Sequence, residues 1–125
     1  MSTQEVAEKL VEYCNTGQYE KAQRELFADH CVSIEPEGAP NQITKGKEAI
    51  LAKGKAFEDM VEKFHSATSS APIVAENFFS CIQTFDADFK GVGRISMEEI
   101  SVFEVVNGKI VKEQFFYTPA PMPQG

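Results

Sequence analysis

The sequence predicts an α+β domain, on three observations. Apolar residues recur at helical spacing in three stretches of the first half, about 2–15, 19–27 and 47–61. From about residue 64 the chain changes to long, β-like runs. The breaks between those runs carry hairpin residues, most clearly Asn107-Gly108.

The elements follow in order. Ser2 and Glu5 have the spacing of a capping box, so a helix opens there. Val6, Leu10, Tyr13 and Cys14 fall on one face of it, and Asn15-Thr16-Gly17 ends it. Tyr19, Ala22, Leu26 and Phe27 mark one face of a second short helix, packed as a tight hairpin against the first. A short strand runs from Cys31 to Glu35, and Pro36 stops it. Residues 36–41, rich in Pro and Gly, read as a loop. After Gly46 a third amphipathic helix is predicted over about 47–61, with Ile50, Leu51, Phe57, Met60 and Val61 apolar. Gly54 inside it costs about 1 kcal/mol relative to Ala, and close packing on a sheet is the expected reason for it.

Strands are predicted at 64–71, 74–87, 93–106 and 109–118, with a turn over 88–93. Phe103 and Val105 point one way, and Ile100, Val102 and Val106 the other. Apolar residues on both faces imply that both faces are covered, one by the helices and one by a second subunit. One domain over 1–118 is expected, followed by a loose Pro-rich tail over 119–125.

Bulk properties remove several function classes. With 42% hydrophobic and 25% charged residues, the 125-residue chain is an ordinary globular sequence long enough for a real core. No apolar run approaches the roughly 20 residues of a membrane span. The N-terminus lacks the basic start and apolar stretch of a signal peptide, so a cytoplasmic location is expected. A net charge of −7 without a Lys/Arg cluster argues against nucleic acid. Cys14, Cys31 and Cys81 form neither a disulfide framework nor a zinc pattern, and each stands in an apolar stretch that favours a buried thiol. There is no phosphate loop, metal cluster or nucleophile elbow, so no cofactor is expected.

Three segments carry a family resemblance. Asn15-x-Gly17 followed by Leu26-Phe27-Ala28-Asp29, then Gly46-x-x-Ala49-Ile50, then Val102-Phe103-Glu104-Val105-Val106-Asn107-Gly108-Lys109-Ile110 occur in that order. They resemble the nuclear transport factor 2-like superfamily, in its SnoaL-like and ketosteroid-isomerase-like branches. The resemblance covers residues 4–118. It implies a cone-shaped domain, with three helices packed on a curved antiparallel (mixed) sheet that encloses an apolar pocket, and commonly a dimer.

Residue by residue, the resemblance implies the following. Ketosteroid isomerases place a general-base aspartate before a proline at the end of the first strand, and Glu35-Pro36 occupies that place here. The isomerase tyrosine falls at Leu10, with Tyr13 nearby. Its protonated aspartic acid falls near Ser101, with Glu99 two residues earlier on the same face. The chain thus keeps the base and departs at the oxyanion donors, which argues against steroid isomerisation itself. The aspartate that ends the last strand of many SnoaL-like cyclases is also absent from Phe115-Phe116-Tyr117-Thr118.

The candidate catalytic residues are therefore Glu35, Glu99 and Ser101. Ser33 and Glu35 share a strand face, so an inward Ser33 face makes Glu35 a proton-transfer carboxylate; the alternative is a solvated strand-end acid. Glu99 has the alternative of an edge or interface charge. Leu10, Tyr13, Ser33, Phe57, His65, Phe103 and Phe116 are the candidate pocket residues, and for His65 and Tyr13 simple structural packing is the other reading. Tyr117 is a further possible hydroxyl donor, and His30 reads as structural at a helix end. Two functions stay open: a cofactor-free isomerase or cyclase type of enzyme acting on a small apolar carbonyl compound, and a non-catalytic binding or dimerising module.

Overall fold

In the computed structural model, which describes residues 1–119, the helices pack on one face of a single seven-stranded sheet. The remainder of the Pro-rich tail, 120–125, lies outside the described residues. Helix α1 spans Thr3–Asn15 and has the expected capping box: the Ser2 hydroxyl accepts from the Glu5 N–H, and the Glu5 carboxylate accepts from the Ser2 N–H. Helix α2, Tyr19–Leu26, packs beside it, burying Ala22 and Leu26. Strand β1, Phe27–Ile34, begins with no intervening loop. A three-residue strand β2, Ile43–Lys45, precedes α3, Lys47–Met60. Then come β3 (Val61–Ser69), β4 (Ile73–Ala75), β5 (Phe78–Phe89), β6 (Gly93–Val106) and β7 (Lys109–Phe116).

The strand order is β2-β1-β7-β6-β5-β3, with β4 pairing on β5. Among the described residues only β1 and β7 run parallel; the other pairs are antiparallel, so the sheet is mixed. The β6–β7 hairpin turns at Asn107 and Gly108, both at positive φ (53° and 75°), as a primed two-residue turn demands. Register shifts in β1, β3 and the β6–β7 pair place bulges that bend an otherwise regular sheet.

Three expectations need correction. The strand predicted over 74–87 is two strands, because Glu76 adopts a left-handed conformation (φ 53°) and breaks the run before Phe78. The first strand starts at Phe27 rather than Cys31, and β3 starts at Val61 rather than residue 64; in both cases the helix hands directly to the strand. Strand β2 had no sequence signal, since three residues are too few to show alternation.

The core lies between helices and sheet. Val6, Leu10, Leu26, Phe27, Phe79, Phe103 and Ile110 are buried in it, and the Phe79 and Phe103 rings stack at 4.6 Å. Alternation then sorts the strands: Cys81, Gln83 and Phe85 on β5 pair with Ser101, Glu99 and Met97 on β6 and share the helix side. Ile82 and Ile100 take the opposite side. No helix of the described residues is long and apolar enough to cross a membrane.

Candidate active site

The helix side of the sheet carries an unusual amount of buried polarity. Ser33 and Ser101 are fully buried, and Glu113 is 5% exposed. Register brings the first of these together. Ser33 on β1 lies beside Glu113 on β7, and Glu113 lies across from Phe103 on β6. Phe115 and Tyr117 continue the Glu113 face toward the end of the sheet where β1 delivers Glu35.

Helix α3 packs on β1 at the edge of this seam and contributes Lys53. Its ammonium donates to Ser33 Oγ at 3.0 Å and to Glu35 Oε1 at 3.2 Å, and it stands 5.8 Å from the centre of the Phe115 ring. The other Glu35 oxygen, Oε2, accepts from the Tyr117 hydroxyl at 2.8 Å. The Lys53 and Glu35 side chains keep 23% and 16% of their exposure, so the pair is partly screened from water but reachable. Burial, and then the bond to Glu35, raise the Tyr117 hydroxyl well above the ordinary phenol range.

Two more carboxylates face the same seam. Burial pushes Glu99 up to about 8, helped by the charges of Glu35 and Glu113 and opposed by Lys53. Burial also lifts Glu113 to about 7, against the Ser33 hydrogen bond and the Lys53 charge that favour its ionised form. Near neutral pH, Glu99 is therefore mostly a carboxylic acid, able to donate a hydrogen bond. Glu35 stands apart from it as the acid whose two oxygens are occupied by the Lys53 and Tyr117 donors. Carboxyl groups whose surroundings differ in this way are how one site holds both an acid and a base.

The sequence-derived candidates divide clearly. Glu35, Glu99 and Ser33 come together around Lys53. Ser101 faces the same side, but its hydroxyl donates to Gln83 Oε1 at 2.8 Å, within a buried group that includes Cys14, Ser69 and Cys81. Burial pushes the Cys14 thiol up to about 12, which makes it inert. Leu10 and Phe103 are core residues. Tyr13 hydrogen-bonds Glu25 on α2 rather than facing the seam. Phe116 lies on the other face of the sheet, because it alternates with Phe115 and Tyr117. His65, at the register shift in β3, pairs with Asp88 at 3.0 Å, away from Glu35. Phe57 meets Phe85 and Phe89 edge to face, with centroids 5.6 Å apart in each case. Arg94 forms a two-pronged pair with Asp86, away from Glu99.

Around Glu35 the seam presents polar groups, the Ser33 and Tyr117 hydroxyls and the Lys53 ammonium. One surface hollow of about 410 Å³ is lined by Ser66, Thr84, Phe85, Asp86, Ser96, Met97 and Glu98. A second of about 190 Å³ is lined by Phe78, Val102, Glu104, Lys112 and Gln114, and neither includes Glu35, Lys53 or Tyr117. Among the described residues no group of three His, Cys, Asp or Glu side chains is arranged to hold a metal ion.

Sequence reasoning missed Lys53 and Glu113. Lys53 had a usable signal, since it follows Ile50 by three residues and precedes Phe57 by four, on the helix stripe that packs on the sheet. Glu113 had only its parity with Phe115 and Tyr117, which a bulge could have reversed.

Comparison with known proteins agrees with this architecture. A SnoaL-like domain family matches residues 1–117. A candidate SnoaL-like polyketide cyclase from Mesorhizobium loti is 30% identical, with 94% of this chain and 100% of that one aligned at a TM-score of 0.87. A nuclear transport factor 2-like protein from Burkholderia thailandensis shares the fold at 13% identity, TM-score 0.80, covering 93% and 90% of the two chains. A ketosteroid isomerase-like fold protein from Catenulispora acidiphila, solved with trimethylamine, does so at 16% identity, TM-score 0.72, covering 91% and 85%. No curated protein sequence matches. The chain is a member of the SnoaL-like domain family, folded as the nuclear transport factor 2-like α+β cone.

Proposed function

We propose that this protein catalyses proton transfer at a carbon next to a carbonyl in a small, largely apolar molecule, using side chains alone. Glu35 is the base. Glu99, held as the neutral acid, donates to the carbonyl oxygen or returns a proton. The observation that carries this reading is the placing of two carboxyl groups on one sheet face in different surroundings: Glu35 between the Lys53 and Tyr117 donors, and Glu99 partly buried, where desolvation raises its pKa. The aromatic group of Phe57, Phe85 and Phe89 supports an apolar ligand, since Phe85 lies across from Met97, two residues from Glu99 on the same face.

The test is hydrogen exchange. The protein is incubated with cyclic ketones and enones in heavy water, and loss of the α-proton is followed by NMR for wild type and Glu35→Gln. Exchange that disappears in a folded Glu35→Gln variant is expected. Equal exchange in both proteins sinks the assignment of Glu35. Absence of exchange across a panel whose members still bind favours the non-catalytic binding module.

We further propose that two copies of this chain pair through the outer sheet face. Ile82, Ile100 and Phe116 stand side by side across β5, β6 and β7, each about half exposed (48%, 50% and 49%). Ile100→Glu should shift sedimentation from dimer to monomer. A wild type that sediments as a monomer at tens of micromolar or above would refute the pairing.

A further inference from the structure

Lys53 has a feature that the proton-transfer reading does not use. Its ammonium carries three N–H bonds. Ser33 and Glu35 take two of them, and among the described residues no third acceptor lies within hydrogen-bonding distance. Those two bonds and the Phe115 ring, 5.8 Å away, fix the place of the ammonium, and its third N–H is left for an incoming acceptor. We infer that Lys53 is an oxyanion-binding residue: its third N–H receives an enolate-like oxygen beside the Glu35 carboxylate.

The inference rests on the proton-transfer reading and explains how the site stabilises the charge that reaction creates. Before reaction, the Lys53 charge is balanced by Glu35. In the step, the substrate C–H bond breaks and its proton goes to Glu35. The C–H electron pair forms the enolate double bond, and the former carbonyl π pair moves onto oxygen. Glu35 is then neutral, so the Lys53 charge has lost its partner at the moment an anionic oxygen appears next to it. The attraction is largely absent with bound substrate and present with the enolate, which is the condition for an interaction to accelerate a reaction. Such an arrangement also supplies a donor at a site where Leu10 and Ser101 do not. Leu10 is core, and the Ser101 hydroxyl is engaged with Gln83.

Glu99 and Glu113 are the other charged groups facing Lys53. If both were ionised they would repel an anion. Burial raises Glu99 to about 8 and Glu113 to about 7, so near neutral pH the two do not carry two full negative charges, and the local balance around Lys53 allows one anion when Glu35 is protonated.

A phenol measures this without turnover, because its ionised oxygen mimics an enolate and its absorbance reports ionisation directly. The probe is 4-nitrophenol, titrated against wild type, Lys53→Met, Lys53→Arg and Glu35→Gln near pH 7. Glu35→Gln mimics the protonated base. It should bind the phenolate more tightly than wild type does, and Lys53→Met should lose at least roughly tenfold in phenolate affinity. Lys53→Arg should keep part of the binding, which also separates loss of charge from loss of folding. Phenolate binding that is equal in Lys53→Met and wild type overturns the inference. So does an absence of phenolate binding by Glu35→Gln. Lys53-dependent phenolate binding together with no ketone exchange would leave the anion site standing and remove Glu35 as a catalytic base.

Discussion

Glu113→Gln is the sharpest test of the buried acid network. Glu113 is nearly inaccessible, and its carboxyl is lifted from the ordinary 4.5 to about 7, chiefly by burial. Between those values the unfolded chain has released a proton that the folded protein keeps. Stability from this group is therefore complete below about pH 4.5 and falls as pH rises, until it is lost by about pH 7. At about 1.4 kcal/mol per pH unit, the whole window is worth about 3 kcal/mol as an upper limit. Glutamine is the same size, still accepts from Ser33 and does not titrate. The variant should therefore equal wild type near pH 4.5 and exceed it by up to about 3 kcal/mol at pH 8. Glu99 acts in the same direction over 4.5 to about 8, and the two acids repel each other, so the measured difference includes their coupling. Urea unfolding at closely spaced pH values reads this directly from the midpoint, provided the slope m is unchanged. A wild type whose stability is flat from pH 4.5 to 7, or a variant weakened equally at every pH, would refute the argument that Glu113 is held in its neutral form by burial.

Two further outcomes follow from packing. Phe79→Ala removes one ring of the buried Phe79–Phe103 stack and should cost about 3–5 kcal/mol, lowering the thermal midpoint by roughly 10–20 °C; a smaller loss would mean that the helices close over the gap. Asn15→Ala breaks a reciprocal pair, since Asn15 Nδ2 donates to the Ser69 carbonyl at 3.0 Å and Asn15 Oδ1 accepts from the Ser69 N–H at 2.7 Å. It should cost about 1–3 kcal/mol in chemical denaturation, with hydrogen exchange rising first at the end of β3.

Asn15 also shows where local reading stops. In the sequence it marks the end of a helix, and it does end α1. Its second role, tying α1 to β3 across 54 residues, has no local signature. Tyr117 is similar. As a residue near a strand end it offers a hydroxyl to many partners, and the parallel pairing of β1 with β7 decides that the partner is Glu35. His65 went the other way: its place at the start of the β region suggested the pocket, and the register shift between Phe64 and Ser66 set it against Asp88 instead. Phe116 followed from a parity that the sequence could not orient, because neither face of the last strands is wholly polar.

The sequence by itself determined the helix starts and stops, the Asn107-Gly108 hairpin, the three-helix and sheet order, and the placing of an acid at the end of the first strand. These depend on side-chain periodicity and on backbone preferences within a few residues, so a short window contains the physics. Tertiary structure alone decided which face of each strand meets the helices, and that Lys53 and Tyr117, 18 and 82 residues away, would enclose Glu35. Those outcomes depend on strand register and bulges, where a shift of one residue turns every side chain to the other face of the sheet.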